Sequence, residues 1–168
     1  DQFVKKHNTK LGFMSFFVKA SVNSLQSFPH LNAELHQDEL IVKKYYDIGI
    51  AVATDEGLVV PVLRGADKLS SAEIELGIAE LATKSREKKI TLQELQGGTF
   101  SITNGGVFGS LMSTPLLNPP QVGILGMHKI MEKPLAVDGE IVIRPVMMLA
   151  VTYDHRIIDG SMAVQFLV

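Results

Sequence analysis

The sequence predicts an α/β fold, a two-layer sandwich with helices packed on a mixed sheet, and three observations carry that expectation. Short apolar segments bounded by turn residues crowd positions 99–153 with almost no helix between them. Two longer stretches, 13–28 and 70–88, place apolar residues at helical spacing instead. Hydrophobic residues make up 46% of the 168 positions, enough for one substantial core, and no linker or internal repeat divides the chain. Strands that follow one another without crossover helices do not fit a doubly wound sheet, so the sheet is expected to be mixed.

In chain order, Phe13, Phe16, Phe17, Ala20, Leu25 and Phe28 recur at three and four, which predicts a helix with a broad inward face ending before Pro29. ELIVKK reads as a strand. DIGIAVAT alternates Ile48, Ile50 and Val52 on one face, DEG breaks it, and LVVPVL resumes, with Pro61 pointing to an edge or a bulge. Ser70 and Glu73 form a capping-box spacing ahead of a helix to about Lys88, with Ile74, Gly77, Ile78, Leu81 and Ala82 inward. Thr91 and Glu94 repeat the signal for a short helix closed by Gly97 and Gly98. TFSIT is a strand ending at the turn pair Asn104-Gly105. VGILGMHKI, the pair PLAV and EIVIRP around Asp138-Gly139, and VMMLAVTYD read as further strands, and Gly160 opens a last helix.

Composition narrows the function classes. The net charge is −2 and the two basic clusters, KKHNTK and KSREKK, are not interleaved with aromatics, so nucleic acid is not an expected partner. No apolar run reaches the roughly 18 residues that a membrane helix needs. Cysteine is absent, which excludes disulfides, thiolate metal sites and a protein thiol nucleophile. Any thiol chemistry therefore belongs to the substrates.

Motif by motif, the nucleotide readings fail. Gly105, Gly106 and Gly109 give GGxxG without the first spacing of a dinucleotide fingerprint, and no GK[ST] occurs. GxSxG is missing, and the histidines at 7, 30, 36, 128 and 155 are too scattered for a metal motif, so no metal is expected. What remains is VTYDHRIIDG at 151–160, where His155 follows a buried strand among Asp154, Arg156 and Asp159. A neighbouring carboxylate can hold one ring nitrogen and leave the other free to take a proton. His155 stays open at this point between a structural histidine, a ligand and a base. Asp159 is either the N-cap of the last helix or half of an Asp–Arg pair fixing the histidine loop. Thr103, at the end of a strand before Asn104-Gly105-Gly106, is either an ordinary β-branched strand residue or a hydroxyl able to stabilise an oxyanion.

DHRIIDG resembles the DHRxxDG signature of the catalytic domain of 2-oxoacid dehydrogenase acyltransferases, the E2 components. GFMSFFVKA at 12–20, GLVVPVLR at 57–64 and SITNGGVFGSLMSTPLLNPPQVGILGMHKI at 101–130 resemble the same family in the same order. GGVFGSL and STPLLNPPQ resemble its succinyltransferase branch, which serves the 2-oxoglutarate dehydrogenase complex. The resemblance implies a chloramphenicol-acetyltransferase-like fold and transfer of a succinyl group from a dihydrolipoyl arm to coenzyme A. It implies His155 as the base, Asp159 as an orienting group and Thr103 as oxyanion donor. Trimers with shared active sites, assembled into a 24-subunit core, are implied as well. So are partnerships with the 2-oxoglutarate dehydrogenase and dihydrolipoamide dehydrogenase components. Arg64 and Lys68, after the VPVL strand, are candidates for the coenzyme A phosphates.

The chain is accordingly expected to be one truncated acyltransferase catalytic domain over 1–168, with the lipoyl and peripheral-subunit-binding domains outside it. The expected compartment is the cytoplasm of a bacterium, or the mitochondrial matrix for a eukaryotic source. The competing readings are an acetyl or branched-chain acyltransferase of the same family, and a non-catalytic structural core.

Overall fold

A computed structural model describes residues 2–168. The chain opens with a short exposed helix, α1 (Gln2–His7), and a long one, α2 (Phe13–Ser27). β1 (Ala33–His36) and β2 (Glu39–Val42) form a separate hairpin. The segment of alternating isoleucines and valines becomes β3 (Ile48–Ile50) and β4 (Val52–Thr54), and LVVPVL becomes β5 (Gly57–Val59) and β6 (Val62–Leu63). β4 pairs with β5 as a small two-stranded ribbon, while β3 pairs antiparallel with β6. Then come α3 (Ser71–Arg86), α4 (Leu92–Leu95), β7 (Phe100–Asn104), β8 (Gly123–Val137), β9 (Glu140–Tyr153) and α5 (Gly160–Leu167).

The main sheet has five strands in the order β6-β3-β7-β8-β9. Its centre, β3, β7 and β8, is parallel, and both edges are antiparallel. This is the mixed sheet expected. β6 is an edge strand, so Pro61 beside it removes no ladder donor, and its carbonyl still accepts from Ile50 N at 2.8 Å. Both capping boxes are formed: the Ser70 and Thr91 hydroxyls accept the N–H groups of Glu73 and Glu94, whose carboxylates accept the cap N–H groups in return.

The core lies between one face of this sheet and α2, α3 and α5. Val18, Leu25, Ile48, Ile74, Phe100 and Ile102 are fully buried there, and Phe166 of α5 packs on Phe100 with ring centroids 5.5 Å apart. Alternation along β7 decides what the other face receives: Phe100 and Ile102 enter the core, while Ser101 and Thr103 point away from the helices.

Two expectations are corrected. α2 is present, but Phe13 and Phe16 are 63% and 57% exposed, and the inward positions are Ser15, Val18, Ser21, Val22 and Leu25. The cause is a contact that local spacing does not reveal. Gly12 supplies no capping side chain, so the Glu75 carboxylate of α3 accepts from the Gly12 and Ser15 N–H groups at 3.0 and 3.1 Å. The small serines let α3 approach, and Phe13 and Phe16 turn outward while Phe17 stays against the core. Second, EIVIRP and VMMLAVTYD are one strand: β8 and β9 run for 15 and 14 residues, with one register shift in their ladder between Met127 and Ile130. They meet at Asp138-Gly139, with φ of 52° and 84°, the mirror-image turn that suits strand twist.

Candidate active site

Thr103 lies at the C-terminal end of β7, on the face without helices, and borders a cavity of about 400 Å³. The cavity floor is the sheet: Ala51, Ser101, Ile124 and Gly126. Its roof is the irregular segment 113–118, held down at several points. Just past the roof, the Ser101 hydroxyl donates to Gln121 Oε1 at 2.6 Å and so fixes the chain leaving it. A Cβ on Gly126 would stand 3.2 Å from Pro115 Cγ, so the absence of a side chain lets the roof settle on the sheet. Thr103 is half-buried, and its hydroxyl has no hydrogen-bond partner among the described residues. A free donor at the edge of a cavity is what an oxyanion requires.

The glycine turn after Thr103 is structural in detail. The Asn104 side chain accepts from Gly106 N at 2.9 Å, and Gly109 ends the turn in the left-handed region at φ 87°. Gly106 runs so close to β8 that a Cβ there would meet the His128 carbonyl carbon at 2.5 Å.

His128, one of the scattered histidines, is a residue that sequence reading passed over. It is 1% exposed. Its Nδ1 faces the Met148 carbonyl at 2.8 Å, and its Nε2 lies 2.8 Å from Ser113 N and 3.0 Å from Ser113 Oγ. A carbonyl only accepts, so Nδ1 carries the proton and Nε2 accepts from the Ser113 N–H. This neutral ring pins the roof segment at Ser113. The only local signal was a histidine directly after the apolar run VGILGM.

His155 sits where β9 runs out, on the exposed turn 154–157. The turn is braced from within: Ile157 N and Ile158 N donate to the Asp154 carbonyl at 3.0 and 2.9 Å. The expected carboxylate partner for the ring is absent among the described residues, because Asp154 is committed elsewhere. Arg156 donates to it from its backbone N, Nε and Nη2, the last at 2.6 Å. Those bonds hold the Asp154 carboxyl below its ordinary range. The Asp–Arg pair of this loop therefore joins Arg156 to Asp154 and leaves Asp159 out. The imidazole instead packs on Tyr153, with ring centroids 5.3 Å apart and planes tilted by 45°. One aromatic neighbour and no hydrogen bond leave both ring nitrogens available.

Asp159 takes its capping role: its carboxylate accepts from Met162 N at 2.8 Å and starts α5. Asp159→Ala should cost about 1 kcal/mol of stability, and Asp159→Asn, which can also cap, much less. Urea unfolding of the two variants, read as a midpoint shift at constant slope, checks this.

Arg64 and Lys68 divide. The Arg64 guanidinium bonds Asp47 at 2.9 Å and the carbonyls of Gln93, Gln96 and Gly97, so its donors tie the 93–97 turn to β6. Lys68 is exposed on the turn before α3. Neither residue borders the Thr103 cavity.

Strand register separates Thr103 from His155. Thr103 is level with Gly126 and Ala150, while Tyr153 is level with Gly123, near the N-terminal end of β7. Two strand spacings across and three residues along put Thr103 and Tyr153 about 14 Å apart, and His155 lies beyond Tyr153. No residue of 151–160 borders the Thr103 cavity. Within one chain, His155 and Thr103 stand toward opposite ends of the sheet.

Residues 1–168 match the family described as 2-oxoacid dehydrogenases acyltransferase (catalytic domain) over their whole length. The chain belongs to this acyltransferase family. It is 66% identical to the dihydrolipoyllysine-residue succinyltransferase component of the 2-oxoglutarate dehydrogenase complex of Bacillus subtilis, covering 100% of this chain and 40% of that protein. The chain thus spans about two fifths of the curated relatives it matches. The family fold is equally plain. A crystallographically studied dihydrolipoamide acetyltransferase of Azotobacter vinelandii superimposes with a TM-score of 0.94 at 38% identity, covering 99% of this chain and 69% of that one. That work concerned the roles of a serine, a histidine and an asparagine in the catalytic mechanism. The cubic core of a pyruvate dehydrogenase multienzyme complex matches with the same score, identity and coverage. Chloramphenicol acetyltransferase, at 15% identity and a TM-score of 0.62 over 98% of this chain and 78% of that one, shares the fold. The expected fold and family are both present.

Among the described residues of this acyltransferase domain no three His, Asp or Glu side chains gather into a metal site, and no helix is long and apolar enough to cross a membrane.

Proposed function

We propose that the chain transfers a succinyl group between a dihydrolipoyl thiol and coenzyme A, with His155 as general base and Thr103 as oxyanion donor. One observation carries the residue assignment. The serine, histidine and asparagine of the Azotobacter acetyltransferase stand at the same sequence separations as Thr103, His155 and Asp159 do here. A hydroxyl stands in place of a hydroxyl and a carboxylate in place of an amide, and both of the latter are side chains able to cap a helix. The succinyl group follows from relatives 57–66% identical that bear that name.

The chemistry needs no protein nucleophile. His155 takes the proton from the coenzyme A thiol as its sulfur attacks the succinyl thioester carbon. The carbonyl oxygen becomes an oxyanion and receives the Thr103 O–H hydrogen bond. The intermediate collapses, the C–S bond to the dihydrolipoyl sulfur breaks, and the leaving thiolate takes the proton back from His155. Charge and protons balance without any residue of the chain being consumed.

A base and an oxyanion donor at opposite ends of a sheet act together only across two copies of the chain, which is why we read the active site as shared. The apolar surface near Thr103 supports it: Phe13 shares a groove with Val107 and Ile130, and Phe108, Leu111 and Met112 are exposed beside them. A second copy covering that surface would bring its own His155 to Thr103. We place such trimers in a 24-subunit core serving the 2-oxoglutarate dehydrogenase complex, beside its dehydrogenase and dihydrolipoamide dehydrogenase components. Coenzyme A reaches this site with Lys68 as the freer of the two candidate phosphate contacts.

The test is an acyl series. Assembled enzyme given free dihydrolipoamide and succinyl-, acetyl- or isobutyryl-CoA should prefer succinyl-CoA in kcat/KM. Equal values for all three would remove the succinyl assignment and leave the acyltransferase.

A further inference from the structure

The mouth of the Thr103 cavity carries two leucines that folding alone does not explain. Leu58 of β5 is 63% exposed and Leu116 of the roof is 88% exposed, yet both border the cavity. They come from separate segments. β5 belongs to the β4–β5 ribbon, which is outside the main sheet and is closed by the Thr54 hydroxyl donating to the Gly57 carbonyl at 2.9 Å. At φ 129° Gly57 takes a conformation open to glycine, and it aims the residue after it. Alternation then places Leu58 and Val60 together on the cavity side.

The polar side chains that border the cavity are Ser101, Thr103, Ser113 and Asn118, and two of the four are occupied. The Ser101 hydroxyl is bonded to Gln121, and Ser113 is bonded through its N–H and hydroxyl to His128. Of the two acyl carriers, pantetheine brings amides that need partners when desolvated, whereas the dihydrolipoyl stem is a saturated carbon chain that needs none. At the mouth, Leu58 and Leu116 present carbon surface alone, which suits the second, and the free Thr103 hydroxyl is left for the reacting carbonyl.

We propose that Leu58 and Leu116 form a collar that grips the carbon chain of the dihydrolipoyl substrate and sets affinity for that thiol, leaving the rate of acyl transfer to other residues. The inference rests on the acyl-transfer reading above. In the full-length, assembled enzyme, each of Leu58→Ala and Leu116→Ala should raise KM for dihydrolipoamide by about tenfold, the scale of one aliphatic side chain losing its contact. kcat, KM for succinyl-CoA, thermal midpoint and sedimentation coefficient stay within experimental scatter, and Leu58→Met restores KM to within about threefold because Met fills similar volume. 1,3-Propanedithiol carries the dithiol without the chain, so the variants should use it as well as the parent enzyme does. A rise in KM for succinyl-CoA instead would assign the collar to pantetheine. A matching loss with the short dithiol, a fall in kcat alone, or dissociation of the assembly would each overturn the proposal. Failure of the acyl-transfer reading would show separately, as parent enzyme inactive with every acyl-CoA.

Discussion

Replacing His155 with alanine is expected to lower kcat by about two powers of ten or more while leaving folding and assembly unchanged. The side chain is exposed, makes no hydrogen bond among the described residues and touches one aromatic ring. Its removal leaves no cavity and strands no polar partner, so the usual routes by which a mutation destabilises a fold are closed. The turn beneath it is held by the Asp154 carbonyl and by the Asp154–Arg156 bonds, none of which involves the imidazole. A rate loss at constant thermal midpoint and constant sedimentation coefficient therefore reports chemistry. Unchanged turnover would return the chain to the alternative of a structural core without catalysis. The loss should fall on kcat and kcat/KM alike, since the proton moves only as the thioester is attacked.

The same residue shows where sequence reading succeeds and where it stops. Local rules are legible when their partners are close in the chain. Ser70 with Glu73, Thr91 with Glu94, Asp159 ahead of α5 and the turn at Asp138-Gly139 all satisfy donors or dihedrals within four residues, and all are formed. Alternation was equally reliable on β7, where it separates Phe100 and Ile102 from Thr103. The failures share a different cause. The face of α2 is chosen by Glu75, more than sixty residues away. Three carboxylates or guanidinium groups stand within four residues of His155, and their composition alone does not say that Arg156 takes Asp154. His128 is invisible for the same reason: its partners, Ser113 and Met148, are 15 and 20 residues distant. The acceptors of Arg64, Asp47 and the 93–97 carbonyls, likewise come from segments the local pattern keeps apart. Long-range satisfaction of polar groups is a property of the folded chain.

The second large effect concerns the sharing of the site. Thr103→Ala should lose about two to three powers of ten, the usual cost of one oxyanion donor, and so be nearly as inactive as His155→Ala. Unfolded together and reassembled, the two inactive chains are expected to recover activity. A Thr103→Ala chain keeps its histidine and a His155→Ala chain keeps its threonine. Where the former donates the base to the latter, an intact pair forms. Random mixing in equal amounts in a cyclic assembly gives an intact pair at about one site in four, so recovery should approach a quarter of the parent rate. The reciprocal pairing puts both defects in one site and contributes nothing. If base and oxyanion donor came from the same chain, every site in the mixture would carry one defect, and activity would stay at the level of the single variants. Recovery must also vanish when the two variants are mixed as preassembled oligomers that do not exchange subunits. The outcome separates the alternatives by well over tenfold, and it follows from one feature of the fold: register places Thr103 level with Gly126 and Tyr153 level with Gly123, on strands that carry Thr103 and His155 toward opposite ends of the sheet.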